Sequence, residues 1–300
     1  MIAAPIQIGP VSIWPGHAAG KYPDGNQVIV HGADSLAVFD TPLISNRLPA
    51  EAHFDRADLV ILGHVHEDHL AGLHRLPDAA VYVHRGDLSA LQSWEGMCEH
   101  YGYAQPVLDA LHAKLLREFH YAPRPDAIAY ETGARWDLGG GVRVQAFHMP
   151  GHTAGHSVLL VEPAGVAFIG DIDLSSFGPY YGDATSNLGA FRKTLREVPD
   201  IPARHWVTSH HKGVISSREQ FLEQLAAFSA RLDAREQRLL GLLAERPKTL
   251  DELCRERVVY RPEANELWIE SAERLSIARH LEELVGANRV CREGEHYRLA

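Results

Sequence analysis

The run Leu59-Val60-Ile61-Leu62-Gly63-His64-Val65-His66-Glu67-Asp68-His69 places His64, His66, Asp68 and His69 at the tip of an apolar stretch. In an extended segment residues two apart face the same way, so His64 and His66 can grip one cation. A turn into a following helix swings Asp68 and His69 toward a second. Burying imidazoles and carboxylates together at a strand end is costly without a cation to compensate them. Three later segments repeat the design of a strand that presents a polar group at its tip: Val144–Met149 before Pro150-Gly151-His152, Val166–Ile169 before Gly170-Asp171, and His205–Thr208 before Ser209-His210-His211. Nitrogen and oxygen donors without cysteine suit zinc, iron or manganese. The chain has no Gly-x-Ser-x-Gly elbow, so its chemistry does not point to a serine nucleophile.

These groups need a scaffold, and the apolar pattern supplies one. Short apolar runs at Gln27–His31, Leu36–Asp40, Leu59–Leu62, Val81–His84, Val142–Phe147, Val158–Val161, Val166–Ile169 and Trp206–Thr208 read as strands. Between Gly86 and Pro125 the leucines fall near helical spacing, which predicts a helical insertion over about 86–125. Another helix carries Leu188, Phe191, Leu195 and Val198. Mixed α/β layering follows. From Ser217 the strand signal ends, and Phe221, Leu222, Leu225, Phe228 and Leu232 mark one helix face. We place a domain junction there, with a catalytic domain over 1–230 and a small domain over 231–300. The latter shows helical patterns at Arg235–Ala244, Leu250–Arg255 and Ala272–Val285 and a hairpin about Gly294, the outline of a winged helix.

Composition narrows the partners. With 45% hydrophobic and 23% charged residues the chain has the makeup of a globular protein. Its 29 Lys and Arg against 39 Asp and Glu give a net charge of −10, which repels a phosphate backbone. The small domain carries 13 basic against 14 acidic residues. That balance favours a structural or homodimerising role over nucleic-acid binding. No run is long enough to span a membrane, and the start lacks the features of a signal peptide, so the expected location is cytoplasmic. Cys98, Cys254 and Cys291 are too few and too scattered for a disulfide framework.

The order His-x-His-x-Asp-His, then Pro-Gly-His-Thr-x-Gly-His, then Gly-Asp, then a late histidine resembles the metallo-β-lactamase superfamily over roughly residues 5–230, with a glyoxalase II-like metal site. The tail is similar to the winged-helix extension of one of its branches. The resemblance implies an α/β fold, a four-layer αβ/βα sandwich with a small C-terminal winged-helix domain, and two divalent metal ions, zinc first, iron or manganese as alternatives. One ion would be held by His64, His66 and His152, the other by Asp68, His69 and His210, with Asp171 bridging both. His211 is the alternative to His210, because the doublet departs from the family pattern.

An aspartate at position 171 resembles the hydrolase branches acting on thioesters, lactones, phosphodiesters and other esters, and disfavours penicillin hydrolysis. The implied function is cleavage of a small-molecule ester, thioester or lactone by a metal-bridging hydroxide, with Asp68 as the catalytic carboxylate. An endoribonuclease or phosphodiesterase, and a metal-retaining sensor with little turnover, are the alternatives. His156 resembles a position that supports the ligands, and His84, His148 and His205 lie at strand ends near the same edge. Trp94 in the aromatic-bearing insertion, and Tyr180 and Tyr181 in the loop after Asp171, are the candidate substrate-side residues, a tyrosine there being placed to stabilise an oxyanion.

Overall fold

Short apolar runs broken by turn residues become the strands of two facing sheets. The structure is a computed structural model that describes residues 3–300. Strands β1 (Ile6–Ile8), β2 (Val11–Trp14), β3 (Gln27–His31), β4 (Leu36–Phe39), β5 (Leu59–Ile61), β6 (Ala80–His84) and β7 (Ile128–Tyr130) lie side by side in that order. They run antiparallel as far as β4 and parallel from β4 to β7. The second sheet holds β8 (Arg135–Gly139), β9 (Val142–His148), β10 (Ser157–Glu162), β11 (Val166–Phe168), β12 (His205–Val207) and β13 (Val214–Ile215), in the order β13-β12-β11-β10-β9-β8. Its one parallel pair is β11 beside β12.

The central strands are buried on both faces, so their sequences are continuous apolar runs and do not alternate. Val30, Phe39 and Ile61 of the first sheet meet Leu159, Val161 and Phe168 of the second in the inner core. The rings of Phe39 and Phe168 sit 5.9 Å apart across it.

Helices cover the outer faces. A single turn, α1 (His17–Gly20), and the short α2 (Glu67–Leu70) sit at the strand tips, and the expected insertion forms α3 (Leu88–Gln92), α4 (Trp94–Tyr101) and α5 (Gln105–Glu118). Leu91, Met97, Leu108 and Leu115 from these helices pack with Val60, Val81 and Val83. On the other side α6 (Leu188–Glu197) and α7 (Arg218–Glu245) bring Phe191, Leu195, Phe221 and Phe228 to Leu160, Ile169 and Trp206. The layers are therefore helix, sheet, sheet, helix, the four-layer α/β sandwich.

The expected pair of helices on either side of residue 230 is one helix. Ser217 caps the N-terminus of α7 by accepting from the Gln220 N–H, and the helix continues for 28 residues. No proline interrupts it, and its buried stripe runs on from Phe228 and Leu232 to Leu239 and Leu243. Its second half packs with α8 (Leu250–Arg255) and α9 (Ile269–Gly286) around Leu253, Ile277, Leu281 and Leu284. A capping box between Thr249 and Glu252 starts α8. Strands β14 (Lys248–Thr249), β15 (Val290–Glu293) and β16 (His296–Leu299) form a third sheet in the order β14-β16-β15, one strand more than the hairpin expected. Two residues give too short a pattern to announce a strand. Among the described residues no helix is long and apolar enough to cross a membrane.

Candidate metal centre

The tips of β5, β9, β11 and β12 meet along one edge of the sandwich, and backbone hydrogen bonds stitch them together. The Ser157 N–H donates to Gly63 across the two sheets, Ser209 N–H to Gly170, and Asn26 N–H to Ser209. His64 and His66 leave β5 in extended chain, and His66 then caps α2, so that Asp68 and His69 sit on its single turn. Gly151 makes the turn before His152 possible: its φ is +132°, and a Cβ there would lie 2.3–2.4 Å from atoms of Phe191 on α6.

Three ring nitrogens face one another. His64 Nε2 is 3.2 Å from His66 Nδ1 and 3.2 Å from His152 Nε2, and the last two are 3.0 Å apart. Donors about 2.0–2.1 Å from a tetrahedral zinc ion lie roughly 3.3 Å from each other, so this triangle has the size of one face of such a site. Next to it, His210 Nε2 is 3.1 Å from Asp68 Oδ2, and His69 Nε2 is 3.7 Å from Asp68 Oδ1. Asp171 stands between the groups. Its Oδ1 is 3.2 Å from His69 Nε2 and 3.5 Å from His210 Nε2, while its Oδ2 is 3.4 Å from His152 Nε2.

The donors fit a cation. Buried His69 Nε2, His210 Nε2 and Asp171 Oδ1 have no hydrogen-bond partner, although each points into the cluster. Orphaned buried groups of this kind are rare and call for a missing partner. Burial drives His152 down to about 3 against the pull of Asp171, which keeps its imidazole neutral, the state a metal ligand requires. Burial also opposes charge on His69, but Asp68, Asp171 and Asp40 outweigh it and hold that ring well above the usual histidine range.

Four of the five candidate ligand histidines are aimed by a partner on the far nitrogen, as ligand imidazoles characteristically are, while His64 Nδ1 has none. His69 Nδ1 donates to Asp40 Oδ2 at 2.7 Å, and Asp40 Oδ1 accepts the Gly63 N–H at 2.7 Å. His210 Nδ1 donates to the carbonyls of Gly20 and Asp24, and His152 Nδ1 to that of Tyr180. His66 Nε2 donates to Asp183 Oδ2 at 2.8 Å, and Asp183 Oδ1 also takes the hydroxyls of Tyr103 and Tyr180. Asp87, fully buried, accepts from Val65 N–H, Thr153 Oγ1 and Gly155 N–H and so ties the two histidine loops together.

Asp183 is held from two sides: the N–H groups of Ala184 and Thr185 donate to the carbonyls of Tyr101 and His100 in the insertion, and the C-terminal elements grip the loop from the other side. Arg279 of α9 donates to the carbonyls of Tyr181, Asp183, Ala184 and Ser186, and Arg235 of α7 donates to those of Phe177 and Pro179. Two guanidinium groups thus hold the 177–186 loop by its backbone. The sequence patterns gave no site role to Asp40, Asp87, Asp183, Arg235 or Arg279. Asp40 follows a strand end, as the candidate ligands do, and that position was the one available signal.

His210, not His211, faces the cluster; His211 turns outward at φ +59° with Nε2 3.8 Å from Asp173 Oδ2. His156 Nε2 accepts the Asp171 N–H at 3.2 Å and its Nδ1 donates to Met149, so it fastens the aspartate's backbone. His84 stacks on His148 with ring centres 3.8 Å apart, and His205 bonds Ser216; none of the three reaches a candidate ligand. Two substrate-side expectations are corrected. Trp94 stacks on His112 at 4.0 Å, away from the cavity, because the short α4 turns it toward α5. Tyr181 is buried against His280 and Arg235. Tyr180 does line the cavity, but its hydroxyl donates to Asp183 and is not a free oxyanion donor.

A cavity of about 300 Å³ opens beside the cluster, lined by Asp68, His152, Asp171 and His210 on its floor and by several aromatic rings. Residues 24–226 match the metallo-beta-lactamase superfamily. The metallo-beta-lactamase fold-containing protein ST1585 of Sulfurisphaera tokodaii is 28% identical over 164 residues, 54% of this chain; the chain spans 60% of that relative's length. Among solved structures, the metallo-beta-lactamase family protein TTHA1429 from Thermus thermophilus superposes with a TM-score of 0.71 at 24% identity, covering 97% of this chain and 99% of that one. A beta-lactamase domain protein from Burkholderia ambifaria gives 0.70 at 17% identity, over 100% and 95% of the two chains. These two likenesses bear on the fold alone, and the match over 24–226 covers most of the sandwich and every candidate ligand. By that match the chain belongs to the metallo-beta-lactamase superfamily.

Proposed function

We propose that this protein is a metal-dependent hydrolase that cleaves a small-molecule ester, thioester or lactone at a dinuclear, glyoxalase II-like site. His64, His66 and His152 would hold one divalent ion, Asp68, His69 and His210 the other, and Asp171 both. Zinc suits this donor set best, with iron or manganese as alternatives. When bound, such a pair supplies an activated water and a Lewis acid for the carbonyl oxygen. The observation that carries the reading is the two-sided placement of Asp171, one oxygen toward each group of donors.

The chain's own groups do the rest. Asp68 faces both the cluster and the cavity, so its carboxylate is placed to receive a proton and return it to the leaving group. Asp40, Asp183 and the carbonyls of Gly20, Asp24 and Tyr180 fix the rings of the ligands. The aromatic wall lines the space that the substrate would occupy. The C-terminal elements fit a winged-helix module in a structural role, and three free cysteines suit a cytoplasmic setting.

The test is elemental analysis of protein purified without chelator, followed by an ester, thioester, lactone and phosphodiester panel after loading with zinc, manganese or iron. The expected result is close to two ions per chain and turnover of carboxylic esters. Metal-free protein, or turnover confined to phosphodiesters, would overturn it.

A further inference from the structure

The cavity's 300 Å³ lies at the small end of small-molecule sites, roughly 300–1,000 Å³. Three separate parts of the chain build its wall: Tyr22 from the connection between β2 and β3, Tyr101 and Tyr103 from the insertion, and Tyr260, Glu266 and Trp268 from the connection between α8 and α9. The C-terminal module closes this wall directly. Trp268 meets Tyr22 edge to face with ring centres 5.7 Å apart, and Tyr260 leans on Phe177 at 5.3 Å.

The wall is rich in π faces and holds no cationic side chain among the described residues. Tyr22 and Tyr101 give their hydroxyls to the two oxygens of buried Glu67, and Tyr103 and Tyr180 give theirs to Asp183. Four phenols are thereby turned onto carboxylates behind the surface. No lysine or arginine is among the described lining residues, and the neighbouring Arg235 and Arg279 are engaged by loop carbonyls. Glu266, exposed at the cavity, adds a negative charge. An anion entering here would lose hydration and meet only the uncharged donors of Ser175, Tyr260, Trp268 and His211, with no lysine or arginine to pair with, whereas aromatic faces attract a cation and accept an apolar group.

We propose that the cavity takes an uncharged or cationic ester, thioester or lactone with an aryl or compact alkyl group, and turns away carriers bearing phosphate or carboxylate at their far end. This rests on the hydrolase reading above, and names the substrate class of that site. Tyr260, Glu266 and Trp268 are the residues that set it.

The test uses the metal-loaded full chain and two readouts. Binding of benzyltrimethylammonium, benzyl alcohol and phenylmethanesulfonate, the last a weak metal ligand, is followed by calorimetry. Turnover is measured on phenylacetyl esters whose alcohol ends in a trimethylammonium, a methyl or a sulfonate group. The cationic and neutral members are expected to exceed the sulfonate by at least about tenfold in affinity and in kcat/KM, and Glu266→Lys to narrow the cation's lead to about twofold or reverse it. A sulfonate that binds as tightly as the cation, or a cation and alcohol that fail to bind at millimolar concentration, would overturn the inference. If the binding order holds while none of the esters turns over, the hydrolase reading fails and the cavity's preference stands; turnover that favours the sulfonate ester does the reverse.

Discussion

The two halves of the candidate metal centre are aimed from different parts of the molecule. His69 and His210 take their orientation from Asp40, Gly20 and Asp24, all within the sandwich and its connections. His66 and His152 take theirs from Asp183 and the Tyr180 carbonyl, on a loop that Arg235 and Arg279 hold from the C-terminal helices. One half is thus built into the fold that the chain shares with its superfamily. The other is held in addition from the last third of the chain. A motif shared by both halves conceals this difference, because ligand identity fixes which atoms bind and the surrounding partners fix how firmly they are held.

Removing the group common to both halves is the harshest way to break the comparison. Asp171→Ala is expected to lower kcat/KM by more than about a hundredfold, since loss of a ligand's outer partner alone costs about 10–100-fold. Metal content by elemental analysis should fall with it; full turnover would remove Asp171 from the proposed bridge. The halves then separate. Asp183→Asn should weaken one of two metal-binding steps by about 10–100-fold in chelator competition, and Asp40→Asn the other step by a similar factor. If both variants weaken the same step, the division between the halves is wrong.

A gentler probe is Arg279→Ala, which frees four loop carbonyls without touching a ligand. It should act in the same sense as Asp183→Asn but by only several-fold, on the order of 1 kcal/mol for a partly replaced set of hydrogen bonds. Acid should also weaken the C-terminal helices. His280 on α9 is held neutral, pushed down to about 3, first by burial and then by Arg192 and Arg235. Unfolded, it titrates near 6.5, so the unfolded chain binds the extra proton. Its contribution to stability is complete above about pH 6.5 and declines as pH falls from there toward about 3, by up to about 1.4 kcal/mol per pH unit. Denaturant midpoints at about pH 7.5 and about pH 5 should show this slope, and His280→Phe should flatten it. The smallest effect belongs to Trp94→Ala, expected to leave kcat/KM within about twofold while costing about 1–3 kcal/mol of stability; a large change in KM would return Trp94 to the substrate.

The candidate ligands were legible because each lies within a few residues of a strand end, where local pattern carries the information. The run from Leu59 to His69 shows both the apolar strand and its polar tip. Asp183 offers no such signal: it meets His66 across 117 positions of chain, and packing against the insertion, the His152 turn and α9 brings it there. The continuity of α7 was in principle readable, since no proline falls between Arg218 and Glu245, yet the loss of strand pattern near Ser217 looked like a boundary. Trp94 and Tyr181 were misplaced for a related reason. Aromatic content marks a region as apolar without saying which side faces the cavity, and a helix of eight residues leaves the choice to its neighbours.

At about 1.5 Å per residue, the 28 residues of α7 make a rod about 42 Å long, anchored at one end on the sandwich and at the other in the C-terminal core. No proline or break interrupts it between its ends. One continuous backbone thus joins the two cores, and from within it Arg235 reaches the loop beside the cavity.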